Sequence, residues 1–174
     1  THLRLTQRRF TFVDAARADD RARWVIPVAV RNGADTTTVL LGDPGVDGSD
    51  GGALLALTDP DAPVVVGAGG HGFFRIDYDA SLRARLGPAT LPSLDTKERY
   101  GLVDDAWAAT VAGALTPTDL VDFLDGFRDE RDHTVWQAIA RALRGLSRLL
   151  DDGDAFSAFQ ARVRALVGPA LAAV

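Results

Sequence analysis

The 174-residue sequence contains no cysteine and no methionine. Without cysteine, the chain can form no disulfide, no thiolate nucleophile and no cysteine-ligated zinc site. No apolar run approaches the roughly 18 to 20 residues of a membrane-spanning helix, and the start THLRLTQRRF lacks the apolar core of a signal peptide. We therefore expect a cytoplasmic protein with no membrane partner. Because the sequence has no methionine and begins at Thr1, we also expect it to be a piece of a longer polypeptide.

The sequence also has fewer basic than acidic residues. The chain carries 19 basic and 24 acidic residues, for a net charge of −5. It therefore has no strong positive field to attract phosphate backbones, and nucleic-acid binding is not expected. Lys97 is the only lysine, and Glu98 and Glu130 are the only glutamates.

The composition changes near residue 92. The first part holds 11 of the 17 glycines and 6 of the 8 prolines, which is the turn chemistry of a β domain. The second part has the apolar spacing of helices. We predict a β domain followed by an α domain: a small antiparallel Ig-like β-sandwich over residues 1–88, then stacked antiparallel helical hairpins that begin a HEAT/ARM-like superhelix over residues 89–174.

Short β-branched or aromatic runs predict the strands of the first part. These runs are residues 3–5, 9–13, 24–30, 36–41, 53–58, 63–66 and 73–78. The first two would form an opening hairpin or pair. Within residues 24–30, Pro27 favours an edge or a bulge, since proline has no N–H to donate to a neighbouring strand.

Capping patterns and apolar stripes predict four helices in the second part. Asp95 and Glu98 resemble a capping box before a helix over about residues 95–112. Thr116 and Pro117 are a cap and a first-turn proline for the second helix. Apolar stripes over 136–150 and after Gly153 predict the other two, and the pair Gly168-Pro169 should bend or end the last one.

The sequence GAGGHG at residues 67–72 matches the dinucleotide-binding pattern GxGxxG and follows an apolar run. A phosphate-binding loop must open a helix, whose N-terminal amides face the phosphates. Residues 73–79 instead alternate like a strand. We therefore predict a glycine-rich turn here and no cofactor site.

Metal ligands and catalytic groups are not arranged in any recognised pattern. His2, His71 and His133 are far apart, and the sequence contains neither HExxH nor GxSxG. The aspartate-rich loop over residues 43–52 misses the EF-hand spacing, which favours a solvated hairpin loop. We therefore assign no catalytic and no metal-binding residue, and the substrate-binding residues remain unassigned.

Arg141, Arg144 and Arg148 form a row on one predicted helix face. Such a row could meet an acidic partner or a carboxylate, but a solvated face is favoured. The adjacent acids Asp104 and Asp105 point in different directions from a helix, so they cannot form a carboxylate dyad.

Four segments, in order, resemble the C-terminal half of the aminopeptidase N family of zinc metallopeptidases. LTQRRF at 5–10 is similar to the family's LxQxRF, and WVIPV at 24–28 is similar to WxIPV. GFFRIDYD at 72–79 resembles GFYRVNYD, the strand that closes the family's β-sandwich. ERYGLVDDAW at 98–107, followed by Ala112-Gly113, resembles DRxxLIDDAF…AG. Together these segments cover about residues 5–130.

The resemblance implies that the chemistry lies upstream, in a domain with an HExxH helix, a third glutamate ligand and a GxMEN loop. Zinc would be bound there, and no cofactor is expected in this segment. The implied function is that of a non-catalytic section of an enzyme that releases N-terminal residues from peptides. This section would position domains and enclose the substrate chamber. Arg99, Asp104 and Asp105 would order the helices through caps and ion pairs, and the glycine turn would serve a hairpin.

The implied partners are the upstream catalytic domain of the same chain and the peptide substrate of the parent enzyme. A helical array cut within its domain would expose an apolar end, so self-association is also expected. The alternative interpretation is a free-standing protein- or carbohydrate-binding module without enzymatic context.

Overall fold

The computed structural model describes residues 1–11, 23–42, 52–150 and 153–172. The chain forms two compact units, Thr1–Ile76 and Asp77–Val174. Strands lie in the first unit and α-helices in the second, which confirms the predicted order of a β part followed by an α part. The predicted domain boundary between residues 88 and 89 stays a prediction. The aspartate-rich loop over 43–51 lies outside the described residues.

The described residues of the first unit form two small antiparallel sheets. One pairs β1 (His2–Leu5) with β4 (Ala53–Ala56). The other has the order β3-β2-β5, from β2 (Ile26–Asn32), β3 (Asp35–Leu41) and β5 (Val64–Val66). The predicted runs near these positions are thus confirmed as strands.

β2 supplies the central strand of the larger sheet. Its alternate residues Val28 and Val30 are buried, as the period-2 pattern requires. Pro27 pairs with Leu40 of β3, whereas the pairing with β5 begins only at Val30. The missing N–H of Pro27 therefore costs no bond to β5.

Two predicted runs of strand are not strands where the structure describes them. Of the predicted run 9–13, residues 9–11 form no strand, β1 pairs with β4 instead, and residues 12 and 13 lie outside the described residues. Residues 73–78 form no strand either. Alternation predicts an extended backbone, but a strand also needs a paired neighbour, and the described residues supply none there. The glycine turn is therefore not the turn of a hairpin.

The second unit contains α1 (Ala80–Ala84), α2 (Thr96–Val111), α3 (Pro117–Leu124), α4 (His133–Ser147) and α5 (Asp154–Ala172). The last four confirm the predicted helices, whereas α1 was not predicted. None of the described helices is both long and apolar enough to cross a bilayer.

Gly168-Pro169 was expected to bend or end this helix, and α5 continues through Pro169 to Ala172, so the pair does not end it; the bend stays a prediction. Pro169 lies in the last turn of the described helix. There it removes a single intrahelical hydrogen bond, and the remaining turn is too short for a large disruption.

Local capping explains where two helices begin. Asp95 accepts a hydrogen bond from the Glu98 backbone N–H at 2.8 Å, and the Glu98 carboxylate accepts one from the Asp95 N–H at 3.0 Å. This is the predicted capping box. Thr116 Oγ1 accepts from the Asp119 N–H at 3.1 Å, with Pro117 at the first helical position.

The core of the second unit is built from large aliphatic and aromatic side chains. The fully buried members are Leu86, Val103, Leu120, Leu124, Phe127, Val135 and Ile139. They come from successive helices and the connections between them, so the helices share one continuous core.

Candidate functional site

The glycine-rich segment over residues 67–72 forms a turn. Ala68–Gly70 form a single 3-10 turn, with Gly67 and Gly69 at φ +69° and +79°. Glycine is favoured at such angles because it has no Cβ. After this loop, the next α-helix among the described residues begins at Ala80, so the loop does not open a helix whose N-terminal amides could face a phosphate. The turn prediction is confirmed.

The histidines are the first candidates for metal ligands, because histidine is a common ligand of zinc. Across the described ranges, no group of three histidine, cysteine, aspartate or glutamate side chains could hold a metal ion. His133 instead shares a 2.9 Å hydrogen bond with Gln137 one turn along α4. These residues do not fit a zinc ion, which needs three or four convergent ligands.

The strongest polar cluster joins the start of α2 to the residues that precede α4. The Arg99 Nε donates to Glu130 Oε2 at 2.7 Å, and its Nη2 donates to Glu130 Oε1 at 3.3 Å. The Arg99 Nη1 also donates to the Leu94 carbonyl at 2.6 Å. The two side chains are only 18% and 5% exposed, so this two-pronged ion pair is shielded from solvent.

Both the carboxylate and the backbone carbonyl of Glu130 accept hydrogen bonds. Its Oε1 also accepts from the backbone N–H groups of Arg131 and Asp132, each at 2.8 Å. Its carbonyl accepts from Trp136 Nε1 at 3.0 Å. Burial by itself would raise the pKa of Glu130, but the hydrogen bonds from Arg99, Asp132 and Arg131 outweigh it and hold that pKa below its ordinary value.

Asp132 continues the cluster into α4 as its N-cap. Its Oδ1 accepts from the Thr134 N–H at 2.7 Å and from the Val135 N–H at 3.4 Å. Its Oδ2 accepts from Thr96 Oγ1, at the start of α2, at 3.2 Å. The Thr134 hydrogen bond is the main cause that lowers the pKa of Asp132. One carboxylate thus caps α4 and ties it to α2.

Two further contacts fix the direction of α4 along α2. Asp104 accepts from Arg141 at 3.3 Å. Further on, the Trp107 indole lies directly against the backbone of Gly145. The start of α2 therefore meets the start of α4, and its later turns meet the later turns of α4. The two helices run parallel, with α3 between them in the chain.

Arg162 ties α5 to the end of α3. Arg162 donates to Asp122 at 2.7 Å and also contacts Asp125. These two carboxylates raise the pKa of Arg162. The same pattern of ion pairs between alternate helices thus appears twice, α2 with α4 and α3 with α5.

The family-like segment 98–107 includes Asp104 and Trp107, which contact α4, and Arg99, which pairs with Glu130 just before α4. Arg99 and Asp104 form the ion pairs expected of them, and Asp105 is buried. Of the predicted arginine row, Arg141 meets an acid of its own chain, whereas Arg144 and Arg148 are exposed. The arrangement can orient helices, and it brings no nucleophile and base together in the described part of the chain.

Sequence reasoning missed Glu130, Asp132 and Gly145. A signal for the first was present, because Glu98 and Glu130 are the only glutamates among 24 acids and both are buried. Asp132 directly precedes an apolar stripe, which is the position of an N-cap. No local signal marks Gly145, because its partner Trp107 lies on another helix.

Comparison with known proteins gives these contacts a context. The profile of the ERAP1-like C-terminal domain family matches residues 64–174. Tricorn protease-interacting factor F2 of Thermoplasma acidophilum is 26% identical over 151 residues, which is 87% of this chain and 17% of that protein. Aminopeptidase M1 of Arabidopsis thaliana is 29% identical over 149 residues, which is 76% of this chain and 16% of that protein.

A shorter match is the human thyrotropin-releasing hormone-degrading ectoenzyme, 31% identical over 91 residues, which is 51% of this chain and 8% of that protein. The chain spans about a sixth of the length of the first two relatives. The chain therefore belongs to the ERAP1-like C-terminal domain family, as a C-terminal fragment of the aminopeptidase N type.

Proposed function

We propose that this chain is the non-catalytic C-terminal section of a zinc-dependent aminopeptidase that releases N-terminal residues from peptides. The observation that carries the proposal is the family match over residues 64–174, together with a relative named aminopeptidase M1. The catalytic zinc and its ligands are assigned to an upstream domain of the same polypeptide, since the described residues here do not fit a zinc ion. The cytoplasm is the proposed location.

The finer architecture belongs to the same proposal. The two antiparallel sheets would pack as an Ig-like sandwich within residues 1–88. The helices would begin a HEAT/ARM-like superhelix within residues 89–174. In support, α2 and α4 are parallel neighbours, and Arg162 links α5 to α3. Two stacked helical hairpins would give this alternation of neighbours.

The proposed role of the helices is to position domains and to enclose the substrate chamber of the parent enzyme. Orienting the substrate and excluding water raise the reaction rate only if the walls of the chamber hold their shape. The helices that form those walls must therefore keep a fixed orientation relative to one another. The shielded Arg99–Glu130 ion pair and the contact of Trp107 with Gly145 supply this rigidity between α2 and α4.

The test compares two substrates in the full-length parent enzyme. Trp107→Ala would loosen α4 on α2, whereas Gly101→Ala, a site with no atom within 4 Å of the added methyl group, is the matched control. Trp107→Ala should lower cleavage of long peptides more than cleavage of an aminoacyl anilide, which is too small to need the chamber. Equal effects on both substrates, or no effect on either, would contradict the enclosing role.

We also propose that the isolated chain self-associates through the helical end. Leu149 and Leu171 are 74% and 70% exposed, and Leu166 is the only fully buried residue described in α5. Exposed apolar side chains at the end of a stacked array favour association. Sedimentation velocity should show a concentration-dependent rise in mass that Leu149→Gln with Leu171→Gln reduces. A chain that stays monomeric at all concentrations would contradict it.

A further inference from the structure

Asn32 is the only asparagine of the chain, and a glycine follows it. In an Asn–Gly pair, the glycine backbone nitrogen can attack the side-chain amide carbon of the asparagine. Glycine has no side chain to shield that nitrogen and imposes the fewest limits on the backbone angles that the attack requires. Asn–Gly is therefore the asparagine sequence most prone to spontaneous deamidation.

In the folded chain, the side chain of Asn32 is held by the loop after β4. Its Oδ1 accepts from the Asp59 backbone N–H at 2.8 Å and from Thr58 Oγ1 at 3.3 Å. Its Nδ2 donates to the Asp59 carbonyl at 2.8 Å. Asn32 is only 6% exposed. Both ends of the amide are thus bonded to Asp59 and Thr58, and water has little access to them.

The backbone of Asn32 is held as well. It is the last residue of β2, where it pairs with Asp35 of β3 and with Val64 of β5. Gly33, at φ +60°, begins the tight turn to β3. To react, the amide carbon must leave its hydrogen bonds and approach the Gly33 nitrogen, which requires this corner of the sheet to open.

We propose that Asn32 is a deamidation site that the fold protects, and that its modification makes unfolding of the first unit irreversible. In the open chain, the Gly33 nitrogen loses its proton and bonds to the Asn32 amide carbon. The bond from that carbon to Nδ2 breaks, and ammonia leaves. Water then opens the cyclic imide at one of its two carbonyls, which gives either aspartate or the β-linked isoaspartate.

Neither product fits the folded site. A carboxylate at position 32 has no N–H to donate to the Asp59 carbonyl, and it places a charge where the native side chain is almost fully buried. The β-linked product adds a carbon atom to the main chain where the pairings with Asp35 and Val64 set the register. The modified chain therefore cannot rebuild this corner of the sheet.

The first experiment follows the mass of the peptide that contains Asn32 during incubation of the full 174-residue chain. One sample is kept native and the other is kept in unfolding urea, at the same mildly alkaline pH and temperature, with quenching in acid. Since there is no other asparagine, conversion to the acid is assigned without ambiguity. The unfolded chain should convert more than about tenfold faster than the native chain, because reaction requires opening. Equal rates in the two samples would overturn the proposal.

A matched variant checks the chemistry. Gly33→Ala should slow conversion in urea, because the added methyl group hinders attack by the nitrogen of residue 33. The positive φ of residue 33, which disfavours alanine in the folded chain, has no consequence in the unfolded chain. An unchanged rate in urea would show that the reaction does not pass through the Gly33 nitrogen, and would overturn the mechanism.

Asn32→Asp tests whether deamidation destabilises the folded chain, because this substitution creates one of the two reaction products directly. The first unit should lose stability at neutral pH, and urea-treated wild-type chain should regain less native signal the longer it is held unfolded. An Asn32→Asp chain as stable as wild type would show that the aspartate product fits the site, and full recovery of native signal after conversion in urea would overturn the irreversibility. If that variant does not fold at all, the comparison of native and unfolded rates still decides whether the fold protects Asn32.

Discussion

Gly145 of α4 offers the sharpest test of how α2 and α4 pack. A Cβ at this position would lie 2.3 Å from Cη2 and 2.4 Å from Cζ2 of Trp107. Carbon atoms in normal contact are about 3.5 to 4.0 Å apart. Gly145→Ala therefore forces the indole or the helix to move by more than about 1 Å.

Two opposing effects set the magnitude. Replacing glycine by alanine inside a helix stabilises it by about 1 kcal/mol. Overpacking a well-filled contact costs about 1 to 3 kcal/mol. We expect Gly145→Ala to lower the free energy of unfolding by about 1 kcal/mol. Gly101→Ala, in α2, has open space around the new methyl group and should raise that free energy by about 1 kcal/mol.

Urea unfolding followed by far-ultraviolet circular dichroism measures both variants. A double-mutant cycle isolates the contact, because in a Trp107→Ala background Gly145→Ala has nothing to collide with and should stabilise as Gly101→Ala does. The expected coupling energy is about 1 to 3 kcal/mol. If Gly145→Ala stabilises the otherwise unchanged chain as much as Gly101→Ala does, the packing described for α2 on α4 is wrong.

Other substitutions probe the polar contacts by the same urea unfolding. Arg99→Met leaves the buried Glu130 without its charged partner and should cost roughly 3 kcal/mol, and a loss under about 0.5 kcal/mol would contradict a shielded pair. Because the folded-state pKa of Glu130 is depressed, its contribution is present above the ordinary glutamate pKa of about 4.3 and is lost as the pH falls through the folded pKa. The difference in free energy of unfolding between wild type and Glu130→Gln should therefore become smaller below about pH 4. A difference that grows in acid would show that folding does not lower the pKa of Glu130. Asp95→Ala should cost about 1 kcal/mol while Asp95→Ser costs much less, because serine retains the cap; equal losses would argue against the capping box. Arg162→Met removes the solvent-exposed ion pair with Asp122 and should lower the free energy of unfolding by no more than about 0.5 kcal/mol. At high salt, wild type and variant should be equally stable.

Features that depend on a few neighbouring residues could be predicted from the sequence. The capping box of Asp95 and Glu98 and the cap at Thr116 are complete within four residues, so the spacing alone located the starts of α2 and α3. The alternation in β2 was equally local. The order of a β part and then an α part followed from these patterns and from the distribution of glycine and proline.

Features that depend on distant partners could not be predicted. The extended run at 73–78 was wrongly predicted as a strand, because the sequence does not show whether a neighbour is there to pair with it. Arg99 and Glu130 are 31 residues apart, so nothing in the spacing linked them. For the candidate site, the family resemblance identified the segment 98–107, but only the structure shows that this segment holds α4.

The central claim is that this chain is a section of an aminopeptidase and does not perform the cleavage itself. The most direct measurement is cleavage of an aminoacyl anilide by the full-length parent polypeptide and by the isolated 174-residue chain, each with and without a zinc chelator. We expect chelator-sensitive cleavage by the parent and none by the isolated chain. Cleavage by the isolated chain would contradict the assignment of the chemistry to an upstream domain. An inactive parent would instead favour a free-standing protein- or carbohydrate-binding module.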